Sequence, residues 1–106
     1  MTTHAYKHIA TGTGAASPAP KGVVTHAVLL TGTGACTATV IHEGLMAGMS
    51  GAVDDHWTTI FTATLSGAAP QKTSGVAQHS WDFIRTRCTA ITGTGAQAHS
   101  VISDAK

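Results

Sequence analysis

Charged residues are scarce in this chain of 106 residues, at 10% of the sequence, against about a quarter in an ordinary globular domain. Six Lys or Arg residues and five Asp or Glu residues give a formal net charge of +1. The basic residues are scattered and form no stripe, so the sequence lacks the electrostatic footprint of a nucleic-acid-binding protein. Few charges also give copies of the chain little mutual repulsion, which predicts that partners cover much of the surface.

Aromatic residues and long apolar runs are scarce as well. Phe, Trp and Tyr make up 5% of the chain, too little for a platform on which bases stack. No stretch approaches the ~18 apolar residues of a membrane span, and the N-terminal sequence has no basic region followed by an apolar run. We therefore expect neither a nucleic acid nor a membrane as partner, and we expect the chain to be made in the cytoplasm.

The sequence has two cysteines, Cys36 and Cys88. They are too few to specify a metal site and lack the CxxC spacing. We interpret them as small buried apolar side chains. A disulfide between them stays open as the alternative, although the absence of an export signal argues against it.

The string Thr-Gly-Thr-Gly-Ala occurs three times, in residues 11–15, 31–35 and 92–96. Around the last two copies the likeness extends further, because residues 25–43 align with residues 86–104 at an offset of 61, with eight identities over nineteen positions. Each string follows β-branched and apolar residues and holds glycines that accept positive φ, which is typical of a hairpin turn. We therefore predict two related β-hairpins, with structural turns at Gly32, Gly34, Gly93 and Gly95.

Other segments also follow the period of a strand. Residues 57–65 alternate regularly, which predicts a strand with one buried face. Two prolines make residues 16–22 either a loop or an edge crossing, and residues 45–52 form either a short helical turn or an apolar loop. Six to seven short strands with frequent turn signals and no long helix favour an all-β fold, a single antiparallel β-sandwich over residues 1–106. Its predicted core includes Leu29, Val40, Ile84, Ile91 and Val101.

The motifs give no site for catalysis, a cofactor or a metal. The glycine strings lack the third glycine of GxGxxG, and no GxSxG elbow is present. The segment His42-Glu43-Gly44-Leu45-Met46 has Met where a zinc-protease helix needs its second His. We predict no enzyme and no cofactor. The seven histidines are interpreted as incidental polar residues, and a metal site that several subunits share is left open.

The order of these patterns resembles small β-sandwich structural proteins of tailed bacteriophages. Residues 23–44 give an apolar strand, a glycine string and a Thr-rich strand that ends in Val-Ile-His-Glu-Gly. Residues 81–85, Trp-Asp-Phe-Ile-Arg, lead into Thr-Ala-Ile-Thr-Gly-Thr-Gly-Ala at residues 89–96. In those phage proteins an aromatic and apolar strand with an arginine runs into a similar string. The resemblance covers the larger part of the chain.

The resemblance implies a non-enzymatic virion protein, most specifically a capsid decoration (cement) protein that stabilises the head at capsid subunit junctions. Its partners would be the major capsid protein and copies of itself, arranged as a homotrimer on the capsid surface. An N-terminal arm within residues 1–22 would reach a neighbour. The contact residues of this arm would be His4, Tyr6 and His8.

The alternative is a tail or neck module of the same fold that binds a glycan or a host receptor. Its only platform for a sugar would be the exposed rings of Trp57, Trp81 and Tyr6. Trp57 and Trp81 also suit positions in the core or at a strand boundary, where they would be covered.

Overall fold

The computed structural model describes residues 3–104, and residues 1, 2, 105 and 106 lie outside the described residues. Nearly all of the described chain is β structure, and its one helix is a 3-10 turn at Asp54–His56. All strand pairs are antiparallel and belong to one hydrogen-bonded sheet. This confirms the prediction of an all-β antiparallel fold. The seven strands are β1 (Thr3–His8), β2 (Gly12–Thr13), β3 (Ser17–Pro18), β4 (Gly22–Leu45), β5 (Thr58–Ala68), β6 (Gln71–His79) and β7 (Phe83–Ser103).

The seven strands occupy only four positions across the sheet, because short strands follow one another along the same neighbour. The long strands β4 and β7 form the centre and pair from Thr25 opposite Ser103 to Leu45 opposite Phe83. β5 and β6 both pair with the edge of β4 that faces away from β7. β1, β2 and β3 all pair with the edge of β7 that faces away from β4. The sheet therefore has two edges, one formed by residues 3–18 and one by residues 58–79.

The sheet folds back on itself near the middle of its long strands. A straight strand of 24 residues would be about 80 Å long, whereas the longest dimension of the molecule is 43 Å. His26 and His42 lie sixteen residues apart on β4, yet their Nδ1 atoms are 2.8 Å from each other. The sheet thus forms two facing halves that meet at a crease. Layer 1 holds residues 3–8, 22–30, 71–79 and 97–103, and layer 2 holds residues 12–18, 35–45, 58–68 and 83–92.

The two related hairpins take a form that the sequence does not reveal. β4 and β7 each reverse at their glycine string, but the two arms face each other across the interior instead of pairing edge to edge. Both edges of each arm are already used, since residues 25–30 pair with β6 and β7 and residues 37–44 pair with β5 and β7. The four glycines predicted as hairpin turns therefore lie inside the long strands, at the crease: Gly32, Gly34, Gly93 and Gly95.

The two copies of the repeat are neighbouring strands that pair with each other. Thr33 lies opposite Thr94, and these residues are also equivalent in the alignment, because their numbers differ by 61. Antiparallel strands that meet at equivalent residues are related by an approximate two-fold axis, which here passes through the crease. The repeat is thus one bent strand used twice, and each copy completes the sheet of the other.

The interior is filled from the even-numbered positions of β4 on both sides of the crease. Alternate side chains of a strand point to opposite faces, so the same parity continues from layer 1 into layer 2. The buried apolar members are Val24, Val28, Leu30, Cys36, Ala38 and Val40. Ala63, Leu65, Cys88 and Ala98 from the neighbouring strands join the main cluster.

The predicted core is right in part. Val40 and Ile84 are fully buried, and Ile91 packs against the main cluster. Leu29 is 38% exposed and Val101 points outward beside it, so these two predictions are wrong. The buried residues are their neighbours, Leu30 and Ile102, because a shift of one residue along a strand exchanges its two faces. Cys36 and Cys88 are buried free thiols, which confirms their interpretation as small apolar side chains.

The described part of the predicted N-terminal arm belongs to the sheet. Residues 3–8 pair one by one with residues 98–103 of β7. His4 Nε2 lies 2.8 Å from the Pro18 carbonyl oxygen, and the Tyr6 hydroxyl donates to Ser17 Oγ at 3.0 Å. His8 is only 7% exposed. The prediction of a free arm is therefore wrong for residues 3–8. They form an edge strand, and His4, Tyr6 and His8 contact their own molecule.

Candidate functional site

Four imidazole rings lie in the interior between the two layers. His26 and His42 are completely buried and come from the two arms of β4. His79 ends β6 and His8 ends β1, and both are nearly buried. The fold-back of the sheet is what brings them together, because the four residues lie far apart along the chain.

Three of the rings form a hydrogen-bonded chain. His26 Nδ1 lies 2.8 Å from His42 Nδ1, and His26 Nε2 lies 2.7 Å from His79 Nε2. A neutral imidazole has one N–H donor and one lone-pair acceptor, so neutral rings can make both bonds. Phe61 stacks on His26 with a centroid separation of 5.5 Å. His8 is bound separately, through Nε2, to Thr86 Oγ1 at 2.7 Å.

The two ends of the histidine chain are buried without a protein partner. His42 Nε2 and His79 Nδ1 make no hydrogen bond to the described residues. Whichever way the protons are ordered, one end must carry an N–H group and the other a lone pair. A buried polar atom without a partner costs about 1–3 kcal/mol. The two ends therefore carry a local cost, while the bond between His26 and His42 links layer 1 to layer 2.

Burial keeps these imidazoles neutral. It lowers the pKa of His26 to about 4, with a further contribution from repulsion by His79. It lowers the pKa of His42 to about 3, with repulsion from the other three rings added. Burial also lowers the pKa of His8, and it lowers the pKa of His79 together with the charge of Lys21. A cation in this interior is disfavoured, because it would lose its water without gaining a carboxylate.

The interior rings are not arranged as metal ligands. His26 uses opposite ring nitrogens to reach His42 and His79, so the three rings do not direct their nitrogens at one point. Within residues 3–104 no group of three or more His, Cys, Asp or Glu side chains could hold a metal ion. The interior position of these rings also keeps them from a metal that several subunits would share.

A second polar cluster lies on the outer face of layer 2, under loop 46–57. The Arg85 side chain is 7% exposed, and its Nε donates to Glu43 Oε1 at 2.9 Å. Its Nη2 donates to Asp54 Oδ1 at 3.0 Å, and its guanidinium lies 4.3 Å from the centre of the Trp57 ring. Arg87 donates to the other Glu43 oxygen at 3.3 Å. Two arginines thus neutralise one buried carboxylate, and Trp57 closes the cluster.

Arg85→Met is expected to destabilise the protein by about 3–5 kcal/mol, because it leaves the Glu43 carboxylate buried with a single, longer ion pair. Urea unfolding followed by circular dichroism measures the change. Lys21→Met is the control, since the Lys21 side chain is 57% exposed where it donates to Asp82 at 3.3 Å and to the Trp81 carbonyl oxygen at 2.6 Å. A much smaller loss is expected there. Equal losses in the two variants would contradict the buried role of Arg85.

The three rings proposed as a glycan platform do not form one. Trp57 is 7% exposed and its face is occupied by Arg85. The Trp81 ring packs against Gly44, where an added Cβ would come within 2.5 Å of it. Tyr6 packs on the cluster of Val24, Ile84 and Ile102. Each ring therefore has its own structural contact, and the geometry gives the tail-module alternative no support.

The sequence interpretation missed both polar clusters, although it held a signal for one of them. His26 and His42 stand at even positions of β4, in phase with Val24, Val28 and Val40, so strict alternation already placed their rings inside. Arg85 and Glu43 had no such signal. They lie on an outer face, and only the return of loop 46–57 covers them.

No protein-family model, curated protein or solved structure matches the chain. Within residues 3–104 there is no helix long and apolar enough to cross a membrane. The likeness to phage virion proteins therefore rests on the sequence patterns described above, and the function that follows from it is a proposal.

Proposed function

We propose that this chain is a non-enzymatic assembly protein whose partners are other protein subunits. The observation that carries the proposal is the placement of the exposed apolar side chains on opposite sides of the molecule. A protein with apolar surfaces on two sides can join two neighbours at once, which assembly requires. Within residues 3–104, six of the eight large exposed apolar side chains are Val23, Leu29 and Val76 on the outer face of layer 1, and Met46, Met49 and Val53 on the loop over layer 2. The other two are Ile9, just after β1, and Phe83, at the start of β7.

In this proposal the buried histidines and the Arg85 cluster have a structural role and no catalytic one. A general acid or base must come within hydrogen-bond reach of its substrate. His26 and His42 are fully buried, and Phe61 covers both rings. Arg85 is already bound to two carboxylates. These groups are thus closed to a substrate, which favours a structural role.

The specific form that we propose is a capsid decoration protein of a tailed bacteriophage. It would be made in the host cytoplasm and act on the capsid surface, bound to the major capsid protein and to copies of itself as a homotrimer. The folded sheet is a thin slab, 16 Å in its shortest dimension. A typical interface takes about 800 Å² from each partner, roughly one seventh of the 5484 Å² surface of this chain. Two or three such contacts fit on it.

The test is co-sedimentation of the purified chain with phage capsids that have been stripped of accessory proteins. We expect saturable binding at a fixed number of copies per capsid subunit and a higher temperature of capsid disassembly. The matched control adds an excess of unlabelled folded chain, which should displace the labelled chain if the sites are specific and limited in number. Capsids that neither bind the folded chain nor gain stability from it would contradict the decoration role.

A further inference from the structure

The outer face of layer 1 is apolar and positively charged. One row runs across all four strands, with Lys7 opposite His99, His99 opposite Leu29 and Leu29 opposite Lys72. The next row is Ala5, Val101, Ala27 and Ser74. The two rows border a shallow groove lined largely by Ala27, Leu29, Lys72, His99 and Val101. We call this surface the cationic face.

The cationic face carries no negative charge of its own. The strands that form it, residues 3–8, 22–30, 71–79 and 97–103, contain no Asp or Glu. Lys7 and Lys72 are exposed, and they stand on the two edge strands with the apolar side chains between them. A partner that fits this face must therefore offer apolar side chains together with carboxylates.

Loop 46–57 offers that combination on the opposite side of the molecule. Met46, Met49 and Val53 are between 41% and 54% exposed. The Asp54 side chain is 70% exposed although it binds Arg85, and Asp55 beside it is exposed. Methionine side chains are flexible and adapt to an apolar groove. The contact between Asp54 and Arg85 and the packing of Trp57 hold the loop in place.

We propose that the cationic face of one copy binds loop 46–57 of a second copy, head to tail. This rests on the proposed assembly function and names one of its partners as the chain itself. Lys72, on one edge strand, then meets Asp55, while Leu29 and its neighbours receive the methionines. Because the two surfaces lie on opposite sides, each copy has both a donor and an acceptor side. The contact therefore continues as an open stack of copies, unless the rotation between copies closes it into a ring.

Charge decides between this arrangement and a symmetric one. Two cationic faces brought together would set Lys7 and Lys72 against lysines, and two loops would set Asp54 and Asp55 against aspartates, at a cost in either case. The cationic face is four strands wide and about eight residues long along each strand, which gives an area of roughly 500 Å². Both partners together bury about 1,000 Å², the lower end of a specific interface. The proposal therefore predicts a modest, salt-sensitive affinity.

A charge exchange tests the proposal. Sedimentation velocity at low ionic strength is measured on the wild type, on Lys72→Glu, on Asp55→Lys and on the variant with both substitutions. We expect each single substitution to weaken self-association about tenfold or more, because it sets like charges together, and the double variant to recover most of the loss. Thr33→Glu is the control, since it adds a carboxylate at the exposed crease, outside both surfaces.

Three results would overturn the proposal. A wild type that stays monomeric at the highest concentration shows that the contact does not form. If Lys72→Glu weakens self-association and Asp55→Lys does not, the cationic face binds a part of the second copy other than loop 46–57. A double variant that self-associates no more strongly than the single variants shows that Lys72 and Asp55 do not pair head to tail. Capsid binding is scored separately, so self-association without capsid binding would contradict the decoration role only, and the reverse would contradict this contact only.

Discussion

Gly93→Ala is expected to cost about 3–5 kcal/mol of unfolding free energy, because the crease leaves no room for a side chain at that position. A Cβ on Gly93 would lie 2.6 Å from Cys36 Sγ, 2.9 Å from Cys36 Cα and 3.0 Å from the Ala35 carbonyl oxygen. Its φ of +122° adds backbone strain for any residue with a side chain. β4 and β7 come this close only because both bend at the same point. Urea unfolding measures the loss.

Gly95→Ala is the matched control, two residues further in the same string. Its φ is +64°, but a Cβ there meets nothing within 4 Å, so only the backbone term of about 1–2 kcal/mol is expected. Cys36→Ala provides a second check, because it removes one of the three clashing atoms. The combined Gly93→Ala and Cys36→Ala variant should lose less than the sum of the single losses. Equal losses at Gly93 and Gly95 would contradict the close contact at the crease.

Stability is expected to fall steeply below pH 6.5, because the folded protein keeps its interior histidines neutral. Their folded pKa values lie below the unfolded value of 6.5, at about 4 for His26 and about 3 for His42. The unfolded chain therefore binds more protons in this window, so stability is complete above pH 6.5 and is lost as the pH falls toward 4. Each of these two histidines is expected to remove about 2 kcal/mol between pH 7 and pH 5.

The loss is large against a total stability of about 5–15 kcal/mol, and the lowered pKa values of His8 and His79 act in the same direction. Urea unfolding at a series of pH values measures the slope. His79→Gln removes one of the four groups and should flatten it, whereas His56→Gln, on the exposed loop, is the control for loss of an imidazole elsewhere. A stability that stays constant from pH 7 to pH 5 would contradict a neutral, buried histidine cluster.

The sequence predicted the strands and the repeat but not how the repeat is used. Residues 25–43 and 86–104 were recognisable as two copies with a reversal at each glycine string, and both reversals exist. Local signals cannot show whether two arms pair edge to edge or stack face to face, because that depends on which other strands take their edges. Here β6, β5 and β7 take both edges of β4.

The core errors have the same origin. Leu29 and Leu30 are equally apolar, as are Val101 and Ile102, so composition does not tell which member of each pair faces inward. Register with the neighbouring strands decides it, and it places Leu30 and Ile102 inside. The arm was expected from the resemblance to phage proteins, whereas the prolines predicted a loop or an edge crossing over residues 16–22. The edge position is the one found, because a sheet edge tolerates proline and β3 includes Pro18.

Each long strand folds back on itself, so that the two arms of β4 face each other across the interior. The most direct measurement is nuclear magnetic resonance of the imidazole nitrogens in uniformly ¹⁵N-labelled protein at neutral pH. The structure predicts a scalar coupling across the N–H···N bond between His26 and His42, which lie sixteen residues apart on one strand. An absent coupling, with both rings exchanging their protons freely with water, would contradict the fold-back and the interior that follows from it.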